Sequence, residues 1–261
     1  MKVGAQLYTV REFMQDLPSV EESLKKVADM GYKYIQLSGG CPFDPEWMRE
    51  QLDKNGLTCV LTHYRGPALT DDPEAVVKEH DILGCKYIGL GSFDLAGKGI
   101  DAFEQAYRHT TEVFKEHGKL FMYHNHNREF SKVDGKLIMD HILERFTPEE
   151  MGITLDCFWV QSGGADPAAW IRKLKGRTPV IHMKDMGFGM VMDRFTKEMR
   201  PGQMIMPIGE GNMNYDSLLT AAIESGVEYA MVELDTCNGE DPFDCLKRSL
   251  DFLKKWGCEA E

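Results

Sequence analysis

The chain has 261 residues, long enough for one large α/β barrel or two small domains, and 43% of them are hydrophobic, enough for a substantial core. Thirty Lys and Arg against 42 Asp and Glu leave a net charge of −12, a field that repels a phosphate backbone and argues against nucleic-acid binding. No apolar run approaches the roughly 20 residues of a membrane helix, and no signal-peptide core precedes Arg11 and Glu12. The seven cysteines are scattered without a CxxC pair, which fits a reduced, cytoplasmic protein without a disulfide framework.

Along the chain, short strand-like apolar runs alternate with longer helical ones. The expected strands are Val3–Tyr8, Tyr34–Leu37, Thr58–Thr62, Tyr87–Leu90, Leu120–His124, Gly152–Asp156, Val180–Lys184 and Ala230–Leu234. The expected helices are Val20–Met30, Pro45–Asn55, Pro73–Leu83, Ile100–His117, Leu137–Arg145, Pro167–Leu174, Tyr215–Ser225 and Pro242–Trp256. Several open with Asp-Pro (Asp44-Pro45, Asp72-Pro73, Asp166-Pro167, Asp241-Pro242), a side-chain cap followed by a residue with φ already set for a helix. Several end at glycine, among them Gly56, Gly84 and Gly226. Eight β-then-α units, with no GxGxxG after the first strand, predict a single-domain (β/α)8 TIM barrel over residues 1–261.

In such a barrel, chemistry sits where strands end. The ends here carry Gln6 and Tyr8, Gln36, His63 and Arg65, His124, Asn125, His126, Asn127 and Glu129, then Asp156, His182, Lys184 and Asp185, and finally Glu233 and Asp235. Residues two apart on a strand share a face, so His124 and His126 point the same way. Carboxylates buried without a partner are costly, and a divalent cation removes that cost. A mixed imidazole and carboxylate set suits Mn²⁺, Co²⁺, Zn²⁺ or Fe²⁺ better than Ca²⁺. For one histidine taken alone, the blander account is a hydrogen-bonded structural residue; for four converging strand ends, one metal site is the better account.

The segments GAQLYTVR, YHNHNREF, ITLDCFWV, IHMKDM, PIGEGNMNY and VELD, in this order, resemble the xylose-isomerase-like sugar isomerases and epimerases. That group includes ketose 3-epimerases, hydroxypyruvate isomerase and inosose dehydratase. The resemblance implies a metal held by Glu, Asp, His and Glu from strands 5 to 8. Three ligands fall on matching types, Asp156, His182 and Glu233; the first falls on His124. It also implies one divalent ion (Mn, Co, Zn, Mg or Fe) and proton transfer on a small sugar or sugar-like carbonyl compound through an enediolate. His124 and Glu233 are then the expected catalytic bases. The His for Glu exchange puts a symmetric two-glutamate epimerisation in doubt; Glu129 is the candidate to supply the missing carboxylate. Lys184 is expected to hold a substrate hydroxyl or carboxylate, with a structural ion pair as the alternative. Gln6, Tyr8, Gln36, His63, His126, Glu129, Trp159 and Asp185 are expected to contact the substrate.

The same site could expel a leaving group, so a keto-sugar lyase or dehydratase, including one that cleaves a 3-keto-glycoside, is the alternative reading. Endonuclease IV resembles the same barrel, but it would need a three-metal cluster and a basic mouth. A degenerate barrel serving as a binding subunit is opposed by the intact Asp156, His182 and Glu233. The segment Met186–Pro207 is long for a barrel loop, and eight of the 16 methionines fall between Met183 and Met213. It is expected to form a lid over the site, or to reach a neighbouring subunit of a homo-oligomer.

Overall fold

In the computed structural model, all residues except 65, 194, 195, 260 and 261 are described, together with every side chain among them except that of residue 96. Arg65 therefore lies outside the described residues. Eight parallel strands close into a barrel: β1 (Lys2–Gln6), β2 (Tyr34–Leu37), β3 (Thr58–Tyr64), β4 (Tyr87–Leu90), β5 (Leu120–His124), β6 (Met151–Asp156), β7 (Val180–Met183) and β8 (Tyr229–Val232). Each pairs with its sequence neighbours, and β8 pairs with β1, for example Val3 opposite Ala230. The main outer helices are α1 (Leu17–Asp29), α2 (Pro45–Asn55), α3 (Pro73–Leu83), α4 (Ile100–Glu116), α5 (Ile138–Arg145), α6 (Pro167–Lys173), α7 (Tyr215–Ser225) and α8 (Pro242–Lys255).

Local chemistry starts and stops these helices. Asp44, Asp72, Asp166 and Asp241 each accept backbone N–H bonds from the first turn, ahead of a proline. Such a cap satisfies donors that a helix start otherwise leaves bare. Gly84 ends α3 at φ 67°, a left-handed conformation that a side chain disfavours.

The barrel interior is layered. Its lower part is apolar, with Leu61, Met122, Val180 and Met231 buried against one another. Glycines leave room for the methionines: a Cβ on Gly4 would lie 2.5 Å from Met231 Cε, and one on Gly152 would lie 2.5 Å from Met122 Sδ. The next inward-facing positions are Gln6, Gln36, His124 and His182, all buried and all polar. This change from apolar to polar, made on several strands at once, marks the upper end of the barrel as the site. The larger apolar core fills the space between barrel and helices, around residues such as Phe103, Phe114, Phe121 and Ile153.

Several strands end earlier than the sequence suggests. β1 stops at Gln6 because the Gln6 side chain accepts from Tyr8 N and opens a 3-10 turn, Leu7–Phe13. β7 stops at Met183, and the chain enters an antiparallel hairpin of Asp185–Met192 with Met199–Met206. The segment expected as a loop is thus regular structure along most of its length. Met186 and Ile205 at its base are buried, whereas Phe188, Met190, Met192 and Met199 are 53–71% exposed.

Candidate metal centre

His124, Asp156, His182 and Glu233, carried in at the upper ends of β5, β6, β7 and β8, each offer a ligand atom, and these atoms all lie within 4.8 Å of one another. Every member is buried. Asp156 divides its carboxylate: Oδ1 accepts from Trp159 N at 3.0 Å and caps the short helix Cys157–Ser162, while Oδ2 faces the cluster. Oδ2 lies 3.3 Å from His124 Nε2 and 3.7 Å from His182 Nδ1. Asn125 fixes this strand end, accepting from Asp156 N at 2.9 Å and donating to Asp156 O at 3.4 Å.

Both imidazoles are held from behind. His124 Nδ1 is 3.1 Å from the Gly91 carbonyl, which can only accept. His182 Nε2 is 2.7 Å from Gln36 Oε1. A neutral imidazole that donates on one side presents a lone pair on the other. Here His124 Nε2 and His182 Nδ1 turn towards carboxylate oxygens, a position for a proton or, with that proton displaced, for a lone pair that binds a cation. His182 Nδ1 and Glu233 Oε2 are 2.7 Å apart, and the Lys184 ammonium lies 3.0 Å from the same oxygen. Two acceptors so close are stable only with a proton or a cation between them.

Lys184 supplies one positive charge. Its Nζ is 2.9 Å from Asp156 Oδ2, 3.0 Å from Glu233 Oε2 and 2.6 Å from Asp235 Oδ2. Three carboxylates against one ammonium leave two negative charges, which a divalent ion would balance. Burial alone raises the Glu233 and Asp156 pKa values, but Lys184 and the histidines more than offset it, so both carboxyls stay ionised. Burial pulls the His182 pKa down, while Glu233 and Asp156 together carry it above the usual imidazole value. Burial disfavours a charge on Lys184, and the surrounding carboxylates reverse that and hold it protonated. The donor set, its charge and the rear-held imidazoles all fit one divalent cation.

Around the cluster lies a cavity of about 340 Å³, lined by Tyr8, His63, His124, His126, Glu233 and Asp235 among others. Of the expected substrate contacts, Tyr8, His63 and His126 line it. Buried polar atoms without partners collect nearby: Gln6 Nε2, Gln36 Nε2, His63 Nε2, His126 Nδ1 and Trp159 Nε1. Desolvation chiefly holds His63 well below the usual imidazole pKa and His126 at about 3, so both rings are neutral near pH 7.

Two expected substrate contacts are part of the scaffold instead. Glu129 accepts from Tyr123 Oη at 2.7 Å and from His126 N at 2.8 Å, which closes the 3-10 turn Asn127–Phe130. With both oxygens engaged there, it supplies no carboxylate to the group of four. Asp185 accepts four backbone N–H groups, from Met186, Gly209, Gly211 and Met213, and so ties the Pro207–Met213 segment to the barrel. The ion pair foreseen as the alternative for Lys184 is present.

Asp235, one of the strand-end candidates, lines the cavity too, and so do Ser38, Tyr64 and Ser92, which were not among them. Arg11 was missed as well: it donates to Tyr8 O at 2.7 Å and Asp235 O at 3.0 Å, joining the first and last loops of the mouth. Ser38, Tyr64, Ser92 and Arg11 sit at or just beyond strand ends, so a wider reading of each βα loop would have included them.

Comparison with known proteins agrees with this architecture. A curated inosose dehydratase of Mesomycoplasma hyopneumoniae is 20% identical over 90% of this chain and 88% of its own length. A sugar phosphate isomerase/epimerase of Parabacteroides distasonis superposes with a TM-score of 0.77 at 21% identity, covering 97% of this chain and 93% of that one. The IOLI protein, solved with a bound zinc atom, gives 0.68 at 13% identity over 98% and 97% of the two chains. These structural likenesses establish the fold. The family model described as xylose isomerase-like TIM barrel matches residues 24–256, and the chain belongs to that family.

Proposed function

We propose that this protein is a divalent-metal-dependent isomerase or epimerase that moves protons on a sugar or sugar-like carbonyl compound through an enediolate. The observation that carries the reading is the buried group of His124, Asp156, His182 and Glu233, whose ligand atoms all lie within 4.8 Å of one another beside a polar cavity. The likeness to an isomerase/epimerase and to a zinc-bearing barrel supports it. A cation there would polarise a carbonyl and its neighbouring hydroxyl, lowering the cost of removing the adjacent C–H proton.

The protein's own groups would do the rest. Glu233 lines the cavity and is ionised, so it can take a proton from one face of the substrate. His124 lines the same cavity, and with Nδ1 turned to the Gly91 carbonyl it could return one only through Nε2, at a stage when that nitrogen is not holding the cation. The neutral His126 and His63, with unpartnered ring nitrogens, would orient hydroxyl groups. Lys184, locked by three carboxylates, sets the charge of the site and holds Asp156 and Glu233 in place.

Incubating the enzyme with a panel of ketoses in D2O tests the reading, which requires deuterium at the carbon beside the carbonyl. His124→Ala and Glu233→Gln should each slow that exchange by about 10²-fold or more while the fold persists. Exchange within a fewfold of wild type would remove that residue from the proton path. A lyase or dehydratase working at the same site is the second reading, favoured by the inosose dehydratase relative. Its signature is net loss of water or of a larger leaving group in the same assay.

A further inference from the structure

A second cavity, of about 580 Å³, opens beside the site between the loops that follow β2 and β3. The two cavities share Ser38, His63 and Tyr64 in their walls, so they adjoin. A space of about 300 Å³ already suits a small ligand, and the two cavities together exceed what one monosaccharide requires.

Its chemistry differs from that of the metal cluster. Met14, Leu37, Pro42, Phe43 and Leu83 form apolar walls. Three polar side chains in that wall, Glu79, Tyr64 and Thr62, are already engaged with the protein itself. Glu79 accepts from the Tyr64 hydroxyl, and Thr62 Oγ1 is bonded to His80 Nε2 at 2.8 Å. At the junction of the two cavities, by contrast, His63 Nε2 is buried and has no partner. The arrangement is a polar end with ionised groups, a free hydrogen-bonding nitrogen at the join, and an apolar end.

Resting on the function proposed above, we infer that the substrate has two parts: a carbonyl-bearing polyol at the metal cluster, and an apolar, ring-sized substituent in the cavity between the β2 and β3 loops. His63 Nε2 would bond the oxygen that links them. A free sugar would leave the apolar walls facing water and gain nothing from them, whereas a ring-sized apolar group would bury them.

The test is calorimetric titration of the purified protein with 1-O-phenyl ethers of fructose, psicose, tagatose and sorbose, which keep the ketone, each beside its free ketose and beside phenol. At least one phenyl ether should bind about 10-fold or more tightly than both its free ketose and phenol. Ala68→Trp, which fills the second cavity, should bring the ether-to-ketose ratio close to one. Phe43→Ala, which removes wall area without adding bulk, should lower the ratio too, so a folding defect in one variant does not decide the result. A ratio near one in wild type, a ratio unmoved in both variants, or phenol binding as tightly as the ethers would overturn the inference. In each of those cases deuterium exchange on free ketoses would still occur if the proposed reaction is right, so the two failures are distinguishable.

Discussion

Gln36 Oε1, at the upper end of β2, lies 2.7 Å from His182 Nε2 on β7. This contact fixes which ring nitrogen carries the proton and therefore which one faces Asp156 and Glu233. Loss of such a partner commonly costs about 10- to 100-fold in metal affinity. Gln36→Leu should weaken Co²⁺ or Zn²⁺ binding by that factor in a competition titration against a chelator, and Gln36→Glu should retain most of it. Unchanged affinity in Gln36→Leu would mean that His182 is oriented by packing alone, or is not a ligand.

His80 sets a pH dependence that is separate from the site. It is buried, bonded to Thr62 Oγ1 and to the Val76 carbonyl, and desolvation chiefly lowers its pKa to about 4. In the unfolded chain the value returns to about 6.5. As pH falls through that value, the unfolded chain takes up a proton that the native state refuses. The His80 contribution is therefore full above pH ~6.5 and is lost towards pH ~4, amounting to about 3 kcal/mol. Urea unfolding of wild type and His80→Gln at pH 7, 6, 5 and 4 should show the wild-type advantage shrinking with acid. A difference independent of pH would show that His80 does not titrate in this way.

The hairpin after β7 should behave as two regions. Its base is tied to the barrel through Asp185, through Asn238 Nδ2 bonded to Ile205 O at 2.7 Å, and through buried Met186. Its far part carries the exposed Phe188, Met190, Met192 and Met199. Amide exchange should be slow at Met186–Gly187 and Met204–Met206 with or without substrate. Protection should rise at Phe188–Met192 and Met199–Gln203 when substrate binds and the apolar face is covered. Equal exchange in both states would make the hairpin a fixed strut.

The barrel was readable from the sequence because each strand is a short apolar run followed by a capped helix, and Asp-Pro and Gly signals bracket those helices. The hairpin was not, because Asp185–Met192 reads as an irregular mixture of glycine and methionine. In the structure, Gly187 and Gly189 make room for Met206 and Met204 on the facing strand, while Phe188 and Met190 alternate outward. A small hairpin, Lys132–Val133 with Lys136–Leu137, also went unread despite its Asp134-Gly135 turn, with φ of 50° and 81°. Within the site, polarity at strand ends gathered His124, Asp156, His182 and Glu233 among other candidates, and the family resemblance singled out these four. Polarity alone could not separate them from Glu129 and Asp185, because sequence does not show that the oxygens of those two are taken by nearby backbone N–H groups and the Tyr123 hydroxyl.

The central claim is that His124, Asp156, His182 and Glu233 share one divalent ion. Anomalous X-ray diffraction from crystals of the purified protein, collected on both sides of the absorption edge of the metal found by elemental analysis, tests it most directly. The account predicts one peak per chain, about 2.0–2.3 Å from His124 Nε2, His182 Nδ1 and an oxygen each of Asp156 and Glu233. Crystals grown with excess Mn²⁺, Co²⁺ or Zn²⁺ that show no peak there, with the Lys184 ammonium still the only cation between Asp156 and Glu233, would contradict it.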